Sequence, residues 1–305
     1  MGGLPSAIHL FLFLRRSLQS FTKKCIFDTI TCVNHPILSN ISRFLKFYWQ
    51  ANTKRNSSSP FLTSFIEEVL EDQRAYYDFG ALERLRTLLK MDARKIQVTD
   101  LGAGSRVNNS PTRSIASIAK SAVSPQWQCE FLFRLVHYLQ PKNRLELGTS
   151  LGLSTLYQYL PIRKAPFYTL EGCPNIAEAA QKNFKKLKAS SIQLEVGNFD
   201  VTLPSVLEKM KHLDYAYIDG NHQKEPTLNY FEQCLQYSHA QTVFVFDDIH
   251  WSTEMEAAWK SIQQHPKVQL SIDLFFMGLV FLDTPANTPK QISLIPRVYK
   301  PWTLI

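Results

Sequence analysis

The sequence is short of three things, and each shortage excludes a class of protein. Its five cysteines (Cys25, Cys32, Cys129, Cys173 and Cys234) form no CxxC and no other metal-ligand spacing, so neither a zinc knot nor a disulfide framework is expected. Scattered thiols in odd number fit a reducing compartment, which makes cytoplasmic residence the expectation. Long apolar runs are also missing. The strongest near the start, Ile8 to Leu14, is far too short to span a bilayer. It lacks the preceding positive charge and the following small-residue cleavage site of a secretory signal as well. Acidic residues are scarce in one zone only: residues 1–56 hold eight Lys/Arg (Arg15, Arg16, Lys23, Lys24, Arg43, Lys46, Lys54, Arg55) against the single acid Asp28, whereas the remaining chain carries 26 bases against 25 acids. The formal charge of +8 is therefore an N-terminal feature, and the neutral body argues against a nucleic-acid-binding face.

What is present is the composition of an ordinary globular protein, 45% hydrophobic and 20% charged over 305 residues, enough for one large domain with an appendage or two small domains. Three zones appear: a basic N-terminal extension (1–56), a helical cap region (57–141) and an α/β ligand-binding domain (142–305). In the first, Ile41–Trp49 interleaves basic and aromatic residues on a predicted helix. That pattern reads as a packing helix with solvated lysines, or as a weak membrane-surface or RNA contact. In the second, Phe61–Leu70, Ala81–Leu89 and Gln126–Leu139 show helical apolar spacing, and Pro141 stops the last.

From residue 143 the rhythm changes to short apolar runs separated by helix-length stretches. Strands are predicted at Arg144–Leu147, Phe167–Leu170, Ile192–Val196, Tyr215–Ile218, Thr242–Phe246, Gln269–Asp273 and Leu279–Leu282, with helices including Asn175–Lys188, Glu225–Tyr237 and Thr253–Gln264. Crossover helices between strands imply a Rossmann-like, doubly wound, mostly parallel sheet of seven strands. The last two strands are too close for a crossover, so the final one is expected to be antiparallel.

Two glycine-bearing stretches compete for the ligand: DLGAGS at 100–105 and LELGTSLG at 145–152. In such sheets the ligand lies beyond the carboxyl ends of the strands, over a glycine turn, with an acid at the end of the next strand for ribose hydroxyls. No strand ending in an acid follows the first stretch. The second is followed by a helix, then a strand ending in Glu171, 23 residues after Gly148. The second stretch is the better site, and the first is a decoy or an auxiliary loop. The turn Gly148-x-x-x-Gly152 does not reproduce the GxGxxG dinucleotide cradle. Glu146, ahead of the first glycine, suits a cationic, amine-bearing ligand better than a pyrophosphate, which favours S-adenosylmethionine (SAM). A turn that only tightens a strand–helix corner is the plain structural alternative.

LELGTSLGLSTLY, YTLEGC, GNFD, YAYIDGNHQKEPTLNYF and VFDDIHWSTEMEAAW, in this order, resemble the bacterial O-methyltransferase-like members of the class I SAM-dependent methyltransferases. The similarity runs over about 120–285. It implies that Glu146, Gly148, Thr149, Ser150 and Gly152 meet the methionine part of SAM, with Ser154 on its carboxylate and Glu171 on the ribose. Asn198, Phe199 and Asp200 would lie at the adenine, although Asp200 also reads as a helix N-cap. Asp219 would hold the SAM amino group or, with Asp247 and Asp248, a divalent metal, Mg²⁺ or alternatively Mn²⁺. The Asp-Asp pair departs from the family's Asp-Asn. His222, His250 and Asp219 are the catalytic candidates, a histidine taking the proton of an acceptor hydroxyl. Trp251 would line the acceptor pocket. The resemblance implies O-methylation of a small-molecule acceptor. The alternatives are an NAD(P)-dependent oxidoreductase and a non-catalytic SAM-binding interaction protein.

Overall fold

The computed structural model describes residues 36–56, 59–99, 110–285 and 287–300, with side-chain surroundings from residue 40 onward. Helix α1 (Pro36–Gln50) buries Phe44, Phe47 and Tyr48 and turns Leu45, Lys46 and Trp49 outward, the three-to-four spacing of an amphipathic helix. Helix α2 (Pro60–Phe65) begins with a proline where no backbone N–H is needed, then widens into a π-turn over Ile66–Leu70. Helix α3 (Phe79–Met91) follows. Next comes an antiparallel pair that the apolar spacing did not suggest, β1 (Lys95–Gln97) with β2 (Thr112–Ser114). Both strands are three residues long and mostly polar, so they carry no alternation to read. The DLGAGS stretch falls between them and lies outside the described residues. Helix α4 (Ile115–Ser121) is capped by Ser114, whose hydroxyl accepts from Ser117 N. Helix α5 (Gln126–Leu139) ends as its sequence predicts, at a left-handed Gln140 just before Pro141.

The α/β domain then runs β3 (Arg144–Leu147), α6 (Leu153–Tyr159), β4 (Phe167–Glu171), α7 (Pro174–Lys186), β5 (Ile192–Val196), α8 (Phe199–Met210), β6 (Leu213–Ile218), α9 (Lys224–Leu235), β7 (Ser238–Asp247), α10 (Thr253–Gln264), β8 (Leu270–Asp273), β9 (Met277–Phe281) and β10 (Gln291–Ser293). One sheet of eight strands results, in the order β10-β8-β9-β7-β6-β3-β4-β5. Every neighbouring pair is parallel except the two made by β9, which runs antiparallel between β7 and β8. The expected seven strands and the antiparallel reversal are there. The eighth, β10, was not anticipated: it is a three-residue parallel edge strand with no apolar run.

Helices α8, α9 and α10 cover one face of the sheet through Leu203, Leu207, Phe231 and Trp259, while α2 and α5 cover the other through Phe65, Leu132 and Leu135. The remaining helices α3, α4, α6 and α7 pack over β4 and β5 around Phe167 and Ile192. Helix α1 docks separately, on Phe275 in the β8–β9 turn and on Ile295. No helix among the described residues is long and apolar enough to cross a membrane.

Candidate active site

The carboxyl ends of β3, β4, β6 and β7 meet at one edge of the sheet, and the backbone there departs from ordinary conformations. Among the described residues eight non-glycine positions have left-handed φ, and four of them, Ser150, Asn221, Asp248 and Phe275, lie at this edge. Such conformations persist only where the surroundings over-determine them, and they gather at functional sites.

The turn after β3 is built for close approach. Gly148 has φ +103°, and a Cβ there would overlap the backbone carbonyl of Asp219 at the end of β6. Gly148 N and Thr149 N both donate to Leu170 O, at 3.0 and 3.1 Å, which draws the turn against β4. Gly152, at φ +79°, opens α6 where a Cβ would strike the Phe184 ring. Glu171, ending β4, accepts Ser150 N at 2.8 Å on one oxygen and Cys173 N at 2.9 Å on the other. The predicted turn and its predicted acid therefore sit against each other. Ser150 Oγ, inside this turn, is buried without a hydrogen-bond partner, and so is Asn221 Oδ1 in the loop after β6. Buried polar atoms of native proteins are normally satisfied, so two such atoms at one edge leave hydrogen-bonding capacity there.

Glu146 and Ser154 are placed differently from the expectation. Glu146 is fully buried, and its carboxylate accepts from Ser154 Oγ (2.8 Å), Thr155 Oγ1, Thr169 Oγ1 (2.7 Å) and Gln158 Nε2 (2.9 Å). The strand register sets Glu146 beside Thr169, and one turn of α6 supplies the other donors. Burial pushes the carboxyl up to about 7 against the pull of those four donors. Glu146 thus locks the strand–turn–helix corner from inside rather than facing a ligand amine, and Ser154 spends its hydroxyl proton on it.

In GNFD, Asn198 is the N-cap of α8: its Oδ1 accepts Asp200 N at 3.0 Å. Asp200 is exposed in the first turn, so the capping role read for it belongs to Asn198. The Phe199 ring lies edge-on to Tyr230, with centroids 5.9 Å apart, and against Gly220.

Ile218 pairs with Phe246, so Asp219 and Asp247 leave the sheet on adjacent strands at the same level. Asp219 Oδ2 accepts from Tyr217 Oη at 3.2 Å, and its Oδ1 lies 3.8 Å from His222 Nε2. The His222 ring tilts against Trp251, with centroids 5.6 Å apart. Asp247 and Asp248 are buried; Asp248 N donates to Phe276 O at 3.0 Å, fastening the loop to the start of β9. Among the described residues, no group of three or more His, Cys, Asp or Glu side chains is arranged to hold one metal ion.

His250 is a correction. Its Nε2 bonds Asp273 Oδ2 at 2.9 Å and its Nδ1 bonds Glu256 Oε1 at 3.1 Å, while the ring stacks on Phe275. Burial alone would push the imidazole down, but Asp273 and Glu256 together carry it up to about 9. An imidazolium donating from both nitrogens has no lone pair for a substrate proton, so His250 is a structural cation. Arg43 of α1 bonds the other oxygen of Glu256 at 3.0 Å and ties that helix to the loop. Sequence reasoning missed Tyr217. Its position two residues before Asp219 on one strand was the available signal, since alternate residues share a face.

Residues 145–249 match the family model described as a methyltransferase domain. A catechol O-methyltransferase of Niastella koreensis is 35% identical over 143 residues, which are 45% of this chain and 63% of that protein. The chain thus spans less than two-thirds of that relative's length. A cofactor-bound structure from MTB is 19% identical with a TM-score of 0.50, covering 75% of this chain and 100% of that one. An O-methyltransferase of Bacillus cereus in complex with S-adenosylhomocysteine (SAH) is 20% identical with a TM-score of 0.47, covering 72% of this chain and 97% of the other. At such identity, the likeness to the MTB structure is one of fold.

Proposed function

We propose that this chain, which matches a methyltransferase-domain model over residues 145–249 and a catechol O-methyltransferase over 143 residues, uses SAM to methylate a hydroxyl of a small-molecule acceptor. The observation that carries the reading is the glycine turn: Gly148 lies against the Asp219 carbonyl, Glu171 holds Ser150 N, and the buried Ser150 Oγ has a hydrogen bond left to make. Gly148, Thr149, Ser150 and Gly152 would hold the amino-acid part of SAM, with Asp219 beside its amine. Glu171 would take the ribose with its remaining lone pairs, and Asn198, Phe199 and Asp200 flank the adenine end.

When bound, SAM supplies a methyl on a sulfonium, so the transfer needs alignment and removal of one proton. His222 is the base in this reading. It lies over the end of β6 against Trp251, with Asp219 orienting the ring. Trp251 offers an apolar wall for an aromatic acceptor. The relative from Niastella koreensis is named for catechol O-methylation, which supports an oxygen on a small aromatic molecule as the acceptor.

A divalent ion is the finer part of the expectation. Asp219 and Asp247 are hard oxygen donors on neighbouring strands, but the described residues supply no three-ligand group, so no step here runs through an ion. Turnover of chelator-treated protein that rises on adding Mg²⁺ would establish the metal, and unchanged turnover would remove it.

Calorimetry with SAM, SAH and NADH tests the reading as a whole. SAM and SAH are expected to bind and NADH not to. Absence of SAM and SAH binding at millimolar concentration sinks it, and NADH binding in their place returns the oxidoreductase alternative. A panel of catechol and related phenols, read by SAH release, then tests the acceptor class.

A further inference from the structure

The face of β6 that lies under the N-terminal helices carries Tyr215, Tyr217 and Asp219 in alternation, so the three share one side of the sheet. Both tyrosines are fully buried, and a buried phenol needs a partner for its hydroxyl. Tyr215 finds one inside the core, donating to Gln158 Oε1 at 2.8 Å. Tyr217 is turned to the active edge. It donates to Asp219 Oδ2 at 3.2 Å.

The two oxygens of Asp219 are therefore divided between tasks, with Oδ2 on the phenol and Oδ1 3.8 Å from His222 Nε2. A carboxylate can rotate about its last bond. A donor held in the protein core fixes its plane, and with it the direction from which the imidazole is met.

We infer that Tyr217 is a positioning residue for methyl transfer: held in the core, it pins Asp219 so that the carboxylate sets the orientation of His222. The inference rests on the reading of His222 as the base.

The test uses the full chain with Tyr217→Phe, His222→Gln and the double variant, and the phenol of highest rate in the panel as acceptor. Tyr217→Phe keeps the ring and its packing and removes one oxygen. Its Tm is expected to stay within about 2 °C and its SAH affinity within about threefold, while kcat falls between about tenfold and a hundredfold, with a smaller change in KM. In the His222→Gln background the same substitution is expected to change kcat by less than about twofold, because an effect exerted through a residue disappears with it. Independently of any acceptor, the His222 imidazole signal in a ¹H–¹⁵N spectrum is expected to move in Tyr217→Phe.

Full kcat in Tyr217→Phe, an unmoved imidazole signal, or an equal loss in the His222→Gln background would each overturn the inference. Full turnover of His222→Gln would overturn the base reading and this inference with it, whereas full turnover of Tyr217→Phe beside a crippled His222→Gln overturns only the positioning role. If Tyr217→Phe lowers Tm by more than about 5 °C, the same comparison is made well below its Tm with SAH affinity as the control for a folded site, and the same fall of kcat is expected.

Discussion

The two halves of the active edge are assembled in different ways. The donor half, over β3, β4 and β5, is made of close neighbours in the chain. Glu146 is surrounded by residues no further away than Thr169, and the turn from Gly148 to Gly152 is held by Leu170 and Glu171. The other half, over β6 and β7, is made of distant segments. Arg43 of α1 reaches Glu256 across 213 residues, and Glu256 in turn holds His250. The short-range half is a fixed seat, while the long-range half depends on the whole molecule being folded. A donor common to many enzymes needs one seat, whereas acceptors differ, and long-range assembly lets loops and helices vary without disturbing the seat.

Substitutions on each side sharpen this contrast. The largest effect is expected at the seat. Gly148→Ala forces a Cβ into the Asp219 carbonyl at a φ of +103° and should weaken SAH binding by about a hundredfold or more in calorimetry. SAH affinity within a few-fold of the native chain would show that the turn is not the cradle. His222→Ala, across the edge, should lower kcat by about 10² to 10⁴ while SAH still binds; equal losses of both would erase the division into halves.

The third expectation concerns Glu146, whose folded value of about 7 lies above its ordinary 4.5. The folded state then holds the proton more tightly, so stability falls as pH rises from 4.5 to 7, by roughly 3 kcal/mol from this group. Denaturant titrations across that window should lose this slope in Glu146→Gln. A slope that survives the substitution belongs to other groups. A stability effect of similar size, with the least change in SAH binding, is expected at His250, raised from 6.5 to about 9 by its two carboxylates. Its contribution is fully present below pH 6.5 and is lost as pH rises through 9, roughly 3 kcal/mol. His250→Gln should flatten the alkaline limb of the stability profile with little change in SAH affinity. A matching loss of SAH binding would mean that the two halves are coupled.

The same contrast decides what could be read before any coordinates. The strand–turn–strand unit from Arg144 to Glu171 was legible because its parts are neighbours and its glycines and terminal acid have fixed spacing. The antiparallel β9 was legible from the shortness of its connection to β8. The pair β1–β2 and the edge strand β10 were not, because three polar residues carry no period. Glu146 and His250 were misplaced for a shared reason. Residue type and position beside a motif suggested a ligand, but their partners, Thr155 and Gln158 for one and Asp273 with Glu256 for the other, consumed the polar capacity on which that suggestion relied. Tyr217 escaped notice because a tyrosine inside an apolar strand looks like packing until its hydroxyl is traced.

Asn52 bridges Leu294 in parallel, Asn52 N donates to Ser293 O, and Lys300 Nζ caps the last turn of α1 through the carbonyls of Tyr48, Trp49 and Ala51. The docking ground of an early helix is thus synthesised some 240 residues after it. At ribosomal speeds of roughly 5–20 residues per second, the apolar side of α1 waits on the order of tens of seconds for Phe275 and Ile295 to emerge. That interval exposes the nascent chain to premature self-association, and it makes the seating of α1 a late event in folding, after the sheet that receives it is complete.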